Sequence, residues 1–284
     1  MSPSKARDVA MPTTSPDLLI VPADQRSTLT IRAKALAFAD PRSRELLEQL
    51  DELASPPHPV VLAGEWGTGR ELLARRLHER SGRTGLFSSL NCASLSPRHG
   101  GAELFGYVPR AYAGTSGSRV GWFGTAHEGS LYLDEIADLP LALQEELVQV
   151  LQQGSILRLG SSQRTPVDVR LIAGSSVDLP RAVEAGHFAE RLWQLLAPGQ
   201  VLVPPLREHP ADLLPLARHF LLQHAERLGR APPPLTAADE AALLAYRWPG
   251  NIRELEQVLH TALLTASAAG LELGKLLPSS PGTR

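Results

Sequence analysis

The chain has 284 residues, 43% hydrophobic and 20% charged, with a net charge of −2. A balance this close to neutral supplies no basic field for nucleic acid, and the single cysteine, Cys92, excludes an internal disulfide framework. No apolar run approaches the ~18 residues of a membrane span and the N-terminus lacks the apolar stretch of a secretory signal, so a cytoplasmic protein without membrane contact is expected.

Residues 1–30 are rich in Ser, Pro, Thr and Ala without helical periodicity and read as a flexible N-terminal tail. Leu46, Leu47, Leu50 and Leu53 recur at helical spacing and predict a helix over Pro41–Leu53. Strand-like runs follow at Val60–Ala63, Leu86–Leu90, Leu131–Leu133, Val167–Ala173 and Val201–Val203, and Leu143, Leu147, Val150 and Leu151 form the apolar face of a helix between the third and fourth. This alternation predicts an α/β core over 31–205, with a parallel sheet covered by helices on both faces in three layers. Beyond it the strands stop. Helices are expected over Ala211–Leu228, Ala237–Tyr246 and Asn251–Ala266, with a break at Ala231-Pro232-Pro233-Pro234, giving a small helical lobe over 206–270 and a C-terminal tail over 271–284.

The first strand runs into Gly64-Glu65-Trp66-Gly67-Thr68-Gly69-Arg70-Glu71. A strand, a glycine-rich turn and a helix start are the context in which backbone N–H groups cradle phosphates, so Gly64, Glu65, Gly67, Thr68, Gly69, Arg70 and Glu71 are nucleotide-binding candidates. The lysine of such loops is replaced by Arg70, and Glu71 follows where Ser or Thr belongs. Guanidinium is a planar fork that needs more room than a lysine ammonium, so weakened binding and strongly reduced hydrolysis are expected. A compositional bias is the competing explanation, since the chain has 25 Arg and only 3 Lys. The strand Leu131–Leu133 ends in Asp134-Glu135; after a phosphate loop, Asp134 is placed to hold Mg²⁺ and Glu135 to orient the attacking water.

Gly64–Glu71, Asn91-Cys92-Ala93, Glu103-Leu104-Phe105-Gly106, Leu131–Ile136, Pro204-Pro205-Leu206-Arg207-Glu208 and Trp248-Pro249-Gly250-Asn251-Ile252-Arg253-Glu254-Leu255 occur in that order. Together they resemble the central AAA+ ATPase domain of the bacterial sigma-54-dependent, or enhancer-binding, transcription activators, over about residues 35–268. The resemblance implies an AAA+ P-loop core with a helical lid, hexameric rings, ATP held between protomers, and hydrolysis used to remodel the closed complex of sigma-54 RNA polymerase. It implies further that Asn91 links Glu135 to the remodelling loop, that Ser175 and Ser176 stand at a sensor threonine and asparagine, and that Arg253 reaches the nucleotide from the lid.

Three departures from that pattern share a direction. Arg70 is the first. In the remodelling loop, Arg110-Ala111-Tyr112-Ala113-Gly114-Thr115 keeps an aromatic in Tyr112 and a glycine in Gly114, but Ala113 replaces the threonine that contacts sigma-54. The two arginines donated to a neighbouring protomer correspond to Ala189 and Leu195, and Arg191, two residues from the first, is the possible substitute. A trans-acting arginine supplies ~10³–10⁵ in rate in related phosphoryl transfers. With only a short tail after Ala266 and about 30 residues before the core, a chain without a helix-turn-helix or an input domain of its own is expected.

The reading is a degenerate member: an ATP-binding regulator of sigma-54-linked transcription, weak or inactive in hydrolysis. Its expected partners are sigma-54 RNA polymerase or a complete activator, within a homo- or hetero-oligomeric ring and without direct DNA contact. The alternatives are a working ATPase activator without DNA binding, using Arg191, and a nucleotide-free interaction scaffold. His78, His99, His127 and His187 show no metal-ligand spacing.

Overall fold

The computed structural model describes residues 18–20, 35–55, 57–111, 116–266 and 270–277. Leu18–Ile20 (β1) pairs antiparallel with Ala35–Ala37 (β2), so the expected flexible tail contains a paired strand; the rest of 1–30 lies outside the described residues. Pro41–Ala54 (α1) begins on Asp40, whose side chain accepts from the Arg42 N–H at 3.1 Å, with Pro41 in the first turn.

The core then unrolls as Val60–Ala63 (β3), Arg70–Arg80 (α2), Phe87–Asn91 (β4), Gly100–Phe105 (α3), Gly121–Thr125 (α4), Ser130–Asp134 (β5) and Leu141–Gln153 (α5). A hairpin of Ser155–Leu157 (β6) and Arg164–Pro166 (β7) precedes Arg170–Ser175 (β8), Leu179–Glu184 (α6), Glu190–Leu196 (α7) and Gln200–Leu202 (β9). Five strands form one parallel sheet in the order β4-β5-β8-β3-β9. Every residue of β8 is buried, as are four of the five in β5. That is why these segments read as unbroken apolar runs rather than alternating ones.

Alternate residues feed two apolar clusters on the two faces of the sheet. Val60, Leu62, Tyr132 and Ile172 join α1 and α2 on one side, while Val61, Leu131, Leu133, Leu171 and Ala173 pack on the other against residues of α3–α7. The three-layer α/β core is therefore as expected. The strand expected from Val167 begins instead at Arg170.

The lid consists of Leu213–Arg227 (α8), Ala237–Ala245 (α9), Asn251–Thr265 (α10) and Leu273–Leu276 (α11). Its buried residues Phe220, Trp248 and Leu255 belong to the same cluster as α1 and α2, so lid and core share apolar packing. A capping box between Thr236 and Asp239 starts α9. The boundary of the C-terminal tail needs correction: Leu273 is fully buried and its N–H donates to Asp239 Oδ1 at 3.0 Å, so α11 is part of the lid. Among the described residues, no helix is long and apolar enough to cross a membrane.

The edge that carries the candidate site is set by this order. Gly64 follows β3, Asp134 and Glu135 end β5, Ser175 and Ser176 end β8, and Asn91 ends β4, all at the C-terminal edge, where parallel sheets bind ligands.

Candidate nucleotide site

The loop after β3 turns through Gly67 at φ 80° and Gly69 at φ 89°, and α2 starts directly behind it. Among the described residues, the N–H groups of Glu65 through Gly69 donate to no acceptor. Five such donors beside a helix N-terminus without a side-chain cap form a ready cradle for an anion. A side chain at Gly67 would place its Cβ 2.2 Å from the Gly250 carbonyl oxygen, so the loop and lid meet there backbone to backbone.

Arg70 leads elsewhere. Its side chain is 6% exposed and turned onto the carboxylates at the end of β5. Nη1 donates to the Gly64 carbonyl at 2.6 Å, while Nη2 donates to Asp134 Oδ1 at 3.2 Å and to Glu135 Oε1. Burial pulls the guanidinium pKa down, but the field of Tyr132, Asp134 and Glu135 outweighs it, so the pKa is raised and the group stays charged. The other oxygen of Glu135 accepts from the Ser176 N–H at 3.0 Å and the Ser176 hydroxyl at 2.7 Å. Glu135 itself sits in the left-handed region at φ 50°. Asp134 Oδ1 also accepts from the Tyr132 hydroxyl at 2.8 Å.

These contacts redraw several sequence expectations. Asn91 does not join Glu135: its Oδ1 accepts from the Ala93 N–H at 2.9 Å and caps a short turn. Glu71 faces Arg75 at 3.6 Å along α2. Glu65 is bound by Arg207 of the lid, at 2.8 and 2.5 Å, and that hydrogen bond is the main cause of its lowered pKa. Thr68 donates its hydroxyl to the Glu65 carbonyl at 2.8 Å.

A divalent cation does not fit this arrangement. Both oxygens of Glu135 and one of Asp134 are taken, a fixed positive charge lies against both carboxylates, and Glu71 offers no hydroxyl ligand. Among the described residues, no group of three or more His, Cys, Asp or Glu side chains could hold a metal ion. Phosphates fit better. Besides the cradle, Arg253 lies close to the loop, with its Cβ 3.2 Å from the position a Gly67 Cβ would take, and its side chain has no hydrogen bond or ion pair among the described residues.

The lid clasps the loop through Asn251 and Ile252, two residues of the Trp248–Leu255 motif with no role of their own assigned from the sequence. Ile252 N–H donates to the Gly67 carbonyl at 3.0 Å. The Asn251 amide donates to the Trp66 carbonyl at 2.9 Å and to Glu65 Oε2 at 3.2 Å, and its Oδ1 accepts from the Leu206 N–H at 2.8 Å.

The sequence pattern of the Sigma-54 interaction domain matches residues 36–201, and that of the AAA+ ATPase lid domain matches 207–281. The chain belongs to the Sigma-54 interaction domain family. It is 46% identical to the Sigma54-dependent transcriptional activator SfnR of Pseudomonas putida over 249 residues, 87% of this chain and 68% of that protein. It is 42% identical to the Psp operon transcriptional activator of Escherichia coli K12, covering 77% of this chain and 68% of the relative. Crystal structures of NtrX from Brucella abortus, in complex with ADP and with ATP, superpose with TM-scores of 0.77 and 0.76 at 31% and 30% identity. They cover 86% and 85% of this chain, which spans about half of NtrX, 54% and 53%.

Within this sigma-54 family fold, of the two positions at which the resemblance places donated arginines, one is buried and the other half-buried. Ala189 is 8% exposed and its N–H donates to Gln144 Oε1 at 2.7 Å, while Leu195 packs against the apolar cluster beneath α7. Arg191 is exposed on α7 and has no ion pair among the described residues. Tyr112, Ala113 and Gly114 lie outside the described residues. The stem of their loop is tied by reciprocal Tyr107 and Arg119 backbone bonds, both 2.9 Å, and to the β6–β7 hairpin by Val108 N–H to the Leu159 carbonyl at 3.1 Å. Cys92 is fully buried, and burial raises its thiol pKa, so it is an inert packing residue.

Proposed function

We propose that this chain is a nucleotide-binding AAA+ subunit that regulates sigma-54-dependent transcription through protein partners, with ATP hydrolysis weak or absent. The observation that carries this reading is Arg70, buried across Asp134 and Glu135. A guanidinium so placed neither reaches a γ-phosphate nor leaves Glu135 free to orient water. The filled positions of Ala189 and Leu195 support the same conclusion, because neither residue can donate charge to a neighbour's site. The unpartnered loop N–H groups and Arg253 support retention of the nucleotide, and weigh against a bare scaffold.

In this reading the chain is cytoplasmic and joins a homo- or hetero-oligomeric ring, with sigma-54 RNA polymerase or a complete activator as partner. Ring interfaces are heterologous, so a subunit can accept a neighbour on one side while failing to activate the other. The exposed Arg191 favours one second reading, a working ATPase in which that residue reaches the neighbouring site. The two are separated by ATP turnover across a protein concentration series, with Glu135→Gln as the blank. Turnover equal to the blank is expected. Turnover rising cooperatively with concentration would establish the second reading instead.

A further inference from the structure

We propose that Arg70 takes the place of the divalent cation in this site, so that the chain binds nucleoside phosphates without metal. The inference rests on the nucleotide-binding reading above and specifies its ligand as the metal-free di- or triphosphate.

The reasoning starts from charge. An ATPase of this architecture brings carboxylates together so that a metal ion can bridge them to phosphate oxygens. Here Asp134 and Glu135 are already bridged by one guanidinium, which cannot give up its proton in a protein. The bridge is also anchored behind, because Nη1 donates to the Gly64 carbonyl at 2.6 Å. A metal would have to enter beside a like charge or expel it. Expulsion would strand Glu135, 3% exposed, with Ser176 as its remaining hydrogen-bond partner.

The phosphate side of the site has no need of metal. Its donors are the N–H groups of Glu65 to Gly69 and the guanidinium of Arg253, none of which is arranged through Asp134. The loop sits between β3 and the lid, whereas the bridge lies under it, toward the end of β5. Nucleotide and Arg70 can therefore be held at once, and the coupling between metal and nucleotide that marks an ATPase should be missing.

The test titrates labelled ADP and ATP into the full chain, in excess EDTA and in excess Mg²⁺, and separately titrates Mn²⁺ into the nucleotide-free protein by electron paramagnetic resonance. For the native chain we expect affinities that agree within about twofold with and without metal, that is, no appreciable coupling, and no Mn²⁺ bound at this site. Arg70→Lys, which keeps the charge and the fold but bridges less, should show ATP binding strengthened about tenfold by Mg²⁺. Arg70→Ala, if folded by circular dichroism, should bind Mn²⁺ in a manner lost with Asp134→Asn. Mg²⁺-strengthened ATP binding by the native chain, or native Mn²⁺ binding abolished by Asp134→Asn, would overturn the proposal. Absence of nucleotide binding under both conditions would overturn the nucleotide reading, while the Mn²⁺ series would still decide whether Arg70 excludes the metal.

Discussion

The side-chain amide of Asn251, at the start of α10, donates to the backbone carbonyl of Trp66 in the phosphate loop at 2.9 Å. Asn251 is fully buried and sits in the left-handed region at φ 52°; the same amide nitrogen also donates to Glu65 Oε2, and its Oδ1 accepts from the Leu206 N–H. Alanine would leave several buried polar groups without partners and would tolerate the backbone conformation less well than asparagine. Asn251→Ala should cost about 3 kcal/mol, on the scale of losing a buried hydrogen-bond network. Urea unfolding measures it. A loss below about 1 kcal/mol would show that the clasp contributes little to holding the lid on the loop.

Arg70→Ala tests the buried bridge by stability rather than by ligand. Removing one member of a buried ion pair leaves the carboxylates in low dielectric without compensation, and such changes cost about 3–5 kcal/mol. Ser176 still donates twice to Glu135, so the lower end of that range is expected. Arg70→Lys should cost less, about 1–2 kcal/mol, because a charge remains. Equal losses for the two variants would mean that shape rather than charge holds this position.

Acid sensitivity should concentrate partly at His78. Its ring lies 5.7 Å from Phe87 and its Nδ1 meets the Ser130 hydroxyl at 3.0 Å. Burial, then the nearby charges of Arg83 and Arg75, lower its pKa below the ordinary 6.5. The unfolded chain therefore takes up this proton before the folded one does. Stability is lost as pH falls from 6.5 toward the folded value, and this contribution is flat above 6.5. His78→Gln should shrink the difference between urea midpoints measured at about pH 7.5 and about pH 5.5. An unchanged difference would place the sensitivity elsewhere.

How far the sequence reaches is clear from particular residues. Val60–Ala63 was readable to the residue, because a strand buried on both faces and closed by Gly64 has an unbroken apolar signature. Leu18–Ile20 was not, since three apolar residues in a polar stretch carry too little periodicity to separate strand from coil. The residue types of the site were legible, but not what their side chains touch. Arg70 and Glu135 are 65 positions apart and Asn251 and Glu65 are 186 apart, so local patterning could not say that each pair meets. The motif pointed Arg70 at a phosphate; the strand order β5-β8-β3 brought two carboxylates within its reach.

Gly174, next to the last residue of β8, drew no attention in the sequence and yet has no room for a side chain. A Cβ there would stand 2.3 Å from the Tyr132 hydroxyl and 2.6 Å from Asp134 Oδ1. Tyr132 is fully buried and cannot retreat without giving up its 2.8 Å hydrogen bond to Asp134. Gly174→Ala should therefore cost about 3 kcal/mol through overpacking. It should also disturb the carboxylate that Arg70 bridges, so loss of metal exclusion would accompany the loss of stability. Tyr132→Phe alone removes one hydrogen bond, worth about 1 kcal/mol, and relieves the nearest clash. In that background Gly174→Ala should cost less than in the native chain, with a coupling of about 1 kcal/mol in a double-mutant cycle. Additive losses would show that the alanine methyl is accommodated without moving Tyr132, and that the space beside Asp134 is looser than these distances imply.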